Sequence, residues 1–234
     1  MNDVWQLWIA AFALGAAHAI EVDHMVAVTA FIGNRPRVGA ALGFGVSWGI
    51  GHSVVVIAVG SLLVVTGVTV PEGATVWAEL GVGVTLMALG GWAIRASRRL
   101  HLHDPAGHDG HAHLHQHGPH HHPHSHSHVD AMRHHRHLST AVGALHGLAG
   151  TAPVVALVPV TMIPVWWQAF LYLVAFGLGT VLAMGAYSVL AAAAAARAAS
   201  SLTAAKTVAL VTAFASLGVG VWWVVRAGLE LVRR

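Results

Sequence analysis

The chain has 234 residues, of which 56% are hydrophobic and only 9% are charged. Soluble domains carry about 25% charged residues, and a chain of this length cannot bury so much apolar surface in a soluble core, so the composition predicts an integral membrane protein. The net charge is +3, but the basic residues lie mainly at the ends of apolar runs, which indicates a lipid bilayer and no nucleic acid as partner. The absence of cysteine excludes disulfides, iron–sulfur clusters and thiolate metal sites.

Six apolar runs follow one another along the chain, each long enough for a helix that crosses a hydrocarbon core of about 30 Å. They are Val4–Phe31, Val38–Val68, Val76–Ile94, Ser139–Ile163, Val165–Ala196 and Thr203–Val225. Prolines at positions 36, 71 and 164 mark three of the junctions. The second and fifth runs are longer than a span requires, so we expect them to tilt or to extend beyond the bilayer. The predicted fold class is an all-α integral membrane protein with about six transmembrane helices.

The first run ends in a group of ionisable side chains, His18, Glu21, Asp23 and His24. Such groups are costly inside a membrane and are candidates for a functional site; a solvated helix end is the alternative. Imidazole and carboxylate suit nickel, cobalt, zinc or manganese. At about 100° per residue a regular helix would point His18, Asp23 and His24 in different directions. We therefore expect local unwinding near Ala19–Val22, or further ligands from elsewhere in the chain.

The second run contributes His52 as a further metal ligand or path-lining residue and Ser47 as a weaker candidate. The alternative for His52 is a buried histidine that hydrogen-bonds to a neighbouring helix. Gly45 and Gly49 flank Ser47, and we expect these glycines to let helices approach closely. Together the three residues match the Gly-x-Ser-x-Gly pattern of serine hydrolases, but that pattern requires a strand-to-helix turn. We predict that the chain is not an enzyme.

The segment between the third and fourth runs has a different composition, with 16 of the 20 histidines and no apolar periodicity. We interpret residues 95–138 as a disordered linker between two domains, residues 1–94 and residues 139–234. Many imidazoles together would collect metal ions with low affinity and raise their local concentration. The histidines that we expect to do so are His111, His113, His115, His117, His120, His121, His122, His124, His126 and His128.

The second domain repeats features of the first. Residues 141–146, Ala-Val-Gly-Ala-Leu-His, resemble residues 13–18, Ala-Leu-Gly-Ala-Ala-His, and a Phe-Gly pair occurs in both the second and the fifth run. Two copies of three spans have opposite topology, so the pattern predicts two inverted three-helix repeats with a site near the membrane midplane. His146 would then face the same cavity as His18, with helix packing as the alternative. We interpret Thr180 and Met184 of the fifth run as packing residues, with a role as weak metal ligands as the alternative.

Basic residues predict how the protein is oriented. The loops after the first, third and fifth runs hold most of the lysines and arginines, and the opposite side holds Arg226, Arg233 and Arg234. The positive-inside rule then places the His-rich linker in the cytoplasm and both termini outside. We expect a multi-pass protein of the cytoplasmic membrane.

These motifs resemble those of the nickel/cobalt transporter superfamily. His18, Asp23 and His24 have the spacing of its His-x4-Asp-His signature, and the run Ser47–Val56 is similar to its second motif, Leu-Gly-His-Ser followed by apolar residues. The resemblance implies that His18, Asp23 and His24 bind metal, with His52 as a further ligand.

Two further features indicate a branch of that superfamily. The runs His146–Gly150 and Phe176–Thr180 resemble the six-span urease-accessory membrane proteins, and the His-rich loop resembles the nickel/cobalt efflux branch. The larger importers have eight spans and an Asp-containing third motif, Leu-Gly-Phe-Asp-Thr, that this sequence lacks.

The resemblance implies a secondary transporter with Ni²⁺ or Co²⁺ as its substrate and no organic cofactor. Import and export both fit the sequence. The sequence lacks a Gly-x4-Gly-Lys phosphate-binding loop, which argues against direct ATP drive within this chain. The alternative is a non-transporting accessory subunit or metallochaperone that works with nickel-enzyme maturation proteins or with a further transporter subunit.

Overall fold

The computed structural model of the protein describes residues 2–32, 38–68, 72–98, 100–103, 113–116, 139–147, 156–198 and 201–233. Most of these residues are helical, which confirms the helical architecture. The helices are α1 (Asn2–His18), α2 (Val22–Ile32), α3 (Val38–Thr66), α4 (Glu72–Ser97), α5 (139–147), α6 (Val158–Thr161), α7 (Trp166–Ala198) and α8 (Leu202–Arg233).

Four of these helices, α3, α4, α7 and α8, are long and apolar enough to cross a membrane. Helices α1 and α2 are joined at an angle of 52° and together form a fifth, broken span if the pair is counted as one. The fourth run predicted from the sequence, Ser139–Ile163, is described only at its ends, as α5 and α6. Among the described residues there are thus four or five candidate spans.

The helices of the second and fifth runs are as long as expected, and α8, with 32 residues, is over-long as well. Helix α3 has 29 residues and α7 has 33, which correspond to roughly 44 Å and 50 Å at about 1.5 Å per residue. Helix α3 ends where Gly67 adopts a positive φ of 67°, and the Gly67 N–H donates to the Leu63 carbonyl at 2.8 Å. This is a common way to end a helix, because glycine takes the left-handed conformation without strain.

Helix α7 lies at the centre of the bundle and packs against α1 and α3, while α4 and α8 pack against each other. One apolar core cluster includes Trp48 and Met184, and a second includes Tyr172 and Phe176. Helix α2 contacts α4, α7 and α8, and the Thr29 hydroxyl lies 3.1 Å from the hydroxyl of Tyr187 on α7. The broken span is therefore held from several sides.

Glycines let the helices of the bundle approach to backbone contact. A Cβ atom on Gly49 would lie 2.8 Å from the Cα atom of Val181 on α7, and one on Gly45 would lie 2.6 Å from the Met184 carbonyl oxygen. These contacts confirm the close approach that was predicted from glycines in the second run. Larger side chains at these positions would push α3 and α7 apart.

Two short strands, β1 (Leu100–His103) and β2 (His113–Gln116), form an antiparallel ribbon within the predicted linker. Residue Leu102 pairs with Leu114, and His101 pairs with His115. Leucine and histidine alternate in both segments, which is a strand pattern of period two. Residues 104–112 and 117–138 lie outside the described residues, so the disordered linker stays a prediction.

Candidate metal site

The first span breaks at the position where its ionisable side chains occur. Helix α1 ends at His18 and α2 begins at Val22. In the break, the Ile20 N–H donates to the Ala17 carbonyl and the Glu21 N–H donates to the His18 carbonyl, both at 3.1 Å. These three-residue hydrogen bonds form a tight turn in place of α-helix. The unwinding expected between positions 19 and 22 is confirmed.

Three histidines converge beside this break. The ring centroids of His18 and His24 are 4.8 Å apart, and His52 of α3 lies 5.0 Å from His18 and 5.4 Å from His24. All three side chains are almost completely buried. The break turns His24 back toward His18, and α3 contributes His52 from its own helix, so both of the expected solutions occur together.

His146 and Asp23 complete the group. The His146 ring of α5 lies 5.0 Å from the His24 ring. The Asp23 carboxylate contacts His24 Nδ1 at 3.2 Å with one oxygen and His146 Nε2 at 3.7 Å with the other. We call His18, Asp23, His24, His52 and His146 the buried cluster. The structure brings together all five of the residues that the sequence favoured as metal ligands.

The geometry of the cluster suits a metal ion. His18, His24 and His52 each offer a ring nitrogen, and these three atoms lie within 4.8 Å of one another. Two ligands on opposite sides of a metal with bonds of about 2.1 Å lie at most about 4.2 Å apart. Movements of roughly 1 Å or less would therefore bring the three nitrogens into coordination distance.

Several nitrogens of the cluster have no hydrogen-bond partner among the described residues. They include Nε2 of His24, both ring nitrogens of His52 and Nδ1 of His146. Buried polar atoms are nearly always paired, and leaving one unpaired costs about 1–3 kcal/mol. A divalent cation would satisfy these atoms, whereas the alternative of His52 as a hydrogen-bonded core residue leaves them unexplained.

The carboxylates of the break lie on the side of an open cavity. The Glu21 side chain is 31% exposed and its Oε1 lies 3.1 Å from His18 Nδ1. A cavity of about 390 Å³ is lined by Glu21 and Asp23 from the break and by Trp222 and Trp223 of α8. The cavity thus reaches the two carboxylates of the break, and the other residues that line it are glycine, valine and tryptophan.

The weaker candidates of the second and fifth runs have packing roles. The Thr180 hydroxyl lies 3.1 Å from both the Gly15 and the Phe176 carbonyl oxygens, so it links α7 to α1. Met184 is fully buried in an apolar core cluster. Ser47 is buried within the continuous helix α3, so the strand-to-helix turn of a serine hydrolase does not occur there.

Two aromatic residues that contact the cluster were not identified from the sequence. The Trp48 ring lies 5.2 Å from the His146 ring, and the Phe176 ring lies 5.7 Å from the His18 ring. Trp48 precedes His52 by four residues, so the two share a helix face. This spacing could have predicted that Trp48 lies near the cluster. Phe176 lies on another helix, and no local pattern connects it to His18.

The predicted metal-collecting histidines lie mostly outside the described residues. Strand β2 includes His113 and His115, whose backbone pairs with β1. The other eight, which lie outside, are His111, His117, His120, His121, His122, His124, His126 and His128. Metal collection by the linker stays a prediction.

Comparisons with known proteins agree with a metal site. The sequence model of the family NicO, described as high-affinity nickel-transport protein, matches residues 4–229 of this chain. The chain is also similar to the urease accessory protein UreH of Bacillus sp. (strain TB-90), with 29% identity over 188 residues, which cover 80% of this chain and 77% of the relative. No solved structure matches the chain. The family match includes every residue of the buried cluster.

Proposed function

Because the chain belongs to the NicO family of high-affinity nickel-transport proteins, we propose that it carries Ni²⁺ across the membrane and binds the ion at the buried cluster. The observation that carries this proposal is the convergence of four buried histidines and an aspartate inside an apolar helical bundle. Ionisable groups in such a place mark ion pathways. The protein is a multi-pass membrane protein of a transport family and not an enzyme.

The ligand chemistry supports a late divalent transition metal as the substrate. Imidazole nitrogens suit nickel and cobalt, and the carboxylate of Asp23 offsets part of the positive charge of the ion. Co²⁺ has a similar preference for such ligands, and we propose it as a second substrate. The chain holds no cysteine, so soft thiolate coordination of Cu⁺ is not available.

We propose that the protein moves as two inverted three-helix repeats. A first helix crossing supports this arrangement. A Cβ atom on Gly15 of α1 would overlap the Phe176 carbonyl of α7, and one on Gly179 of α7 would overlap the Phe12 carbonyl of α1. The two helices thus each place a glycine against the backbone of the other.

A second crossing, between α5 and α3, has the same design. A Cβ atom on Gly143 would overlap the Trp48 carbonyl, and one on Gly51 would overlap the Thr140 carbonyl. The residues of the two crossings correspond at one constant separation along the sequence. The counterparts are Phe12 and Thr140, Gly15 and Gly143, Trp48 and Phe176, and Gly51 and Gly179.

The same separation relates residues of the cluster itself. His18 corresponds to His146, and His52 corresponds to Thr180. A site between two inverted repeats, which rock against each other, opens alternately to each side of the membrane. The two repeats differ in that α7 has Thr180 at the position where α3 has His52. The first repeat therefore supplies most of the ligands.

We propose that the His-rich linker faces the cytoplasm and both termini face outside. The distribution of lysine and arginine supports this orientation, since basic loops remain on the cytoplasmic side. A cytoplasmic linker would deliver metal to an exporter or hold metal that an importer releases for nickel-enzyme assembly. Growth of a deletion strain distinguishes the two directions: metal sensitivity indicates export, and loss of nickel-enzyme activity at low nickel indicates import.

A second function is favoured by the name of the Bacillus relative, urease accessory protein. We propose as the alternative that the chain is an accessory subunit or metallochaperone that binds nickel in the membrane without carrying it across. Such a protein would bind Ni²⁺ but need a further transporter subunit or a maturation partner. Flux by the purified chain alone would contradict this alternative.

The test is Ni²⁺ flux into liposomes that contain the purified full-length chain. We expect flux with the wild-type chain and none with the double variant His18→Ala, Asp23→Ala, because that variant removes one nitrogen and the only carboxylate of the buried cluster. The linker variant His124→Ala is the matched control and should transport normally, since single linker histidines are replaceable. Unchanged flux in the double variant would refute the assigned site.

A further inference from the structure

Two overlapping sets of ligands share His24. The inner triad, His18, His24 and His52, consists of three buried imidazoles, and the outer triad, Glu21, Asp23 and His24, consists of two carboxylates and one imidazole. Within each triad the ligand atoms lie within 4.8 Å of one another. On the basis of the proposed function, we infer that the outer triad first captures the hydrated cation and passes it to the inner triad by exchange of ligands around His24.

Access from the cavity favours the outer triad as the first position. Glu21 and Asp23 of the outer triad line the open cavity of about 390 Å³, whereas none of the three inner-triad histidines does so. A divalent cation with six waters, at about 30 Å³ for each water, occupies roughly 180 Å³. The cavity is therefore large enough to admit the ion with its hydration shell to the mouth of the site.

Charge supports the same order. Two carboxylates attract a divalent cation while it still holds part of its water, and Glu21, with 31% of its side chain exposed, is the most exposed residue of the two triads. The inner triad is neutral when it binds metal, and its histidines are at most 2% exposed, so an ion must lose most of its water to enter. The carboxylates would capture the ion in the cavity, and the imidazoles would then replace its remaining water. Loss of the hydration shell is thereby divided into two smaller steps.

His24 is placed to take part in both positions. Its Nδ1 atom lies 3.2 Å from Asp23 Oδ1, and its ring is the one nearest to His18, at 4.8 Å between centroids, while also lying 5.4 Å from His52. His24 is a ligand of both triads, so the ion stays beside His24 while two carboxylate ligands are replaced by two imidazoles. No covalent bond of the protein forms or breaks in this step.

The change of ligands also gives selectivity. Carboxylates bind hard cations such as Mg²⁺ and Ca²⁺ as well as transition metals, whereas imidazole favours nickel, cobalt and zinc. An ion that enters the outer triad but gains nothing from imidazoles returns to the cavity. Glu21 is thus a capture residue, and the inner triad selects among the captured ions.

The experiment measures Ni²⁺ affinity calorimetrically on the purified full-length chain, in four forms: wild type, Glu21→Gln, His52→Ala, and both together. His52→Ala removes an inner ligand and leaves the outer triad intact, so we expect binding that is about 10–100-fold weaker and loss of flux. Glu21→Gln retains an oxygen for His18 but loses the charge. In the wild-type background, Glu21→Gln should change the Ni²⁺ affinity less than about 3-fold and slow flux about 10-fold. In the His52→Ala background, it should weaken Ni²⁺ binding by a further factor of about 10.

Competition with Mg²⁺ gives a second measurement. Millimolar Mg²⁺ should weaken Ni²⁺ binding in the His52→Ala variant, where only the outer triad remains, and have little effect on the wild type. The matched control is Glu79→Gln, which removes a carboxylate of α4 that lies near Arg226 and not at the cavity. It should leave both affinity and Mg²⁺ competition unchanged.

Two results would overturn the inference: an equal effect of Glu21→Gln in both backgrounds, or complete loss of Ni²⁺ binding in His52→Ala with the fold intact by thermal unfolding. Failure of the proposed function is a different result. In that case the wild-type chain would show no flux in liposomes, while the four calorimetric affinities could still follow the expected order.

Discussion

Two helix crossings in this protein are built alike, but only one of them includes a helix that carries a histidine of the buried cluster. In the α5–α3 crossing, Gly143 packs against the backbone of α3, about one turn before His146. In the α4–α8 crossing, a Cβ atom on Gly83 or on Gly220 would lie 2.8 Å from the carbonyl oxygen of the other glycine. The α4–α8 crossing contains no residue of the buried cluster.

The polar atoms near the two crossings differ as well. Next to the α4–α8 crossing, the Ser216 hydroxyl donates to the Leu86 carbonyl at 2.9 Å, so this buried group is paired. Beside the α5–α3 crossing, His52 has two ring nitrogens without a hydrogen-bond partner in the described part of the chain. Glycine packing therefore explains how the helices assemble, and the unpaired imidazoles support the cation site proposed above.

The largest expected effect of a single methyl group is at Gly143. In Gly143→Ala the new Cβ overlaps the Trp48 carbonyl, so α5 must move away from α3 and separate His146 from the other ligands. We expect a loss of about 1–3 kcal/mol in the free energy of unfolding and a decrease of about 10-fold in Ni²⁺ affinity. Thermal unfolding and calorimetry measure the two effects. Normal affinity in a destabilised variant would show that this crossing does not position the ligands.

The same substitution in the α4–α8 crossing should lower the stability of the protein without a comparable decrease in Ni²⁺ affinity. In Gly83→Ala the Cβ would lie 2.8 Å from the Gly220 carbonyl oxygen, so α4 and α8 must shift apart. We expect a loss of about 1–2 kcal/mol in the free energy of unfolding, with Ni²⁺ affinity within about 3-fold of wild type. A decrease in affinity as large as that of Gly143→Ala would contradict the distinction between the two crossings.

The smallest effect is expected at Gly91, which serves as the control for the glycine series. A Cβ atom there meets nothing within 4 Å among the described residues. Since alanine favours helix over glycine by about 1 kcal/mol, Gly91→Ala should leave stability unchanged or raise it slightly and leave Ni²⁺ affinity unchanged. A loss of stability similar to that of Gly83→Ala would mean that steric overlap is not the cause in either variant.

The break in the first span followed from helix geometry, as one of the two solutions that the sequence left open. His18, Asp23 and His24 cannot face one point from a regular helix, and the break at Ala19–Glu21 solves this problem. The helix boundaries near Pro36, Pro71 and Pro164 followed from the chemistry of proline, which disfavours helix before it. These features depend on neighbouring residues and can be derived from one sequence.

The contacts that could not be derived depend on how distant helices pack. Phe176 reaches His18 only because α7 crosses α1 at Gly15, and one sequence does not say which helices cross. The hydroxyl of Thr180 was a weak ligand candidate, but its position beside the Gly15 carbonyl makes it a link between helices. The ribbon within the linker was not predicted, because its few alternating leucines lie in a histidine-rich segment without apolar periodicity.

The broken span has an electrostatic consequence. Each half of a broken helix has its own macrodipole, with a partial charge of about half an elementary charge at each end. The negative end of α1 carries His18, and the positive end of α2 carries Asp23 in its first turn. The peptide dipoles of α1 therefore favour a cation beside His18, while those of α2 favour the carboxylate that faces it. Unlike a side-chain ligand, this backbone field does not depend on protonation.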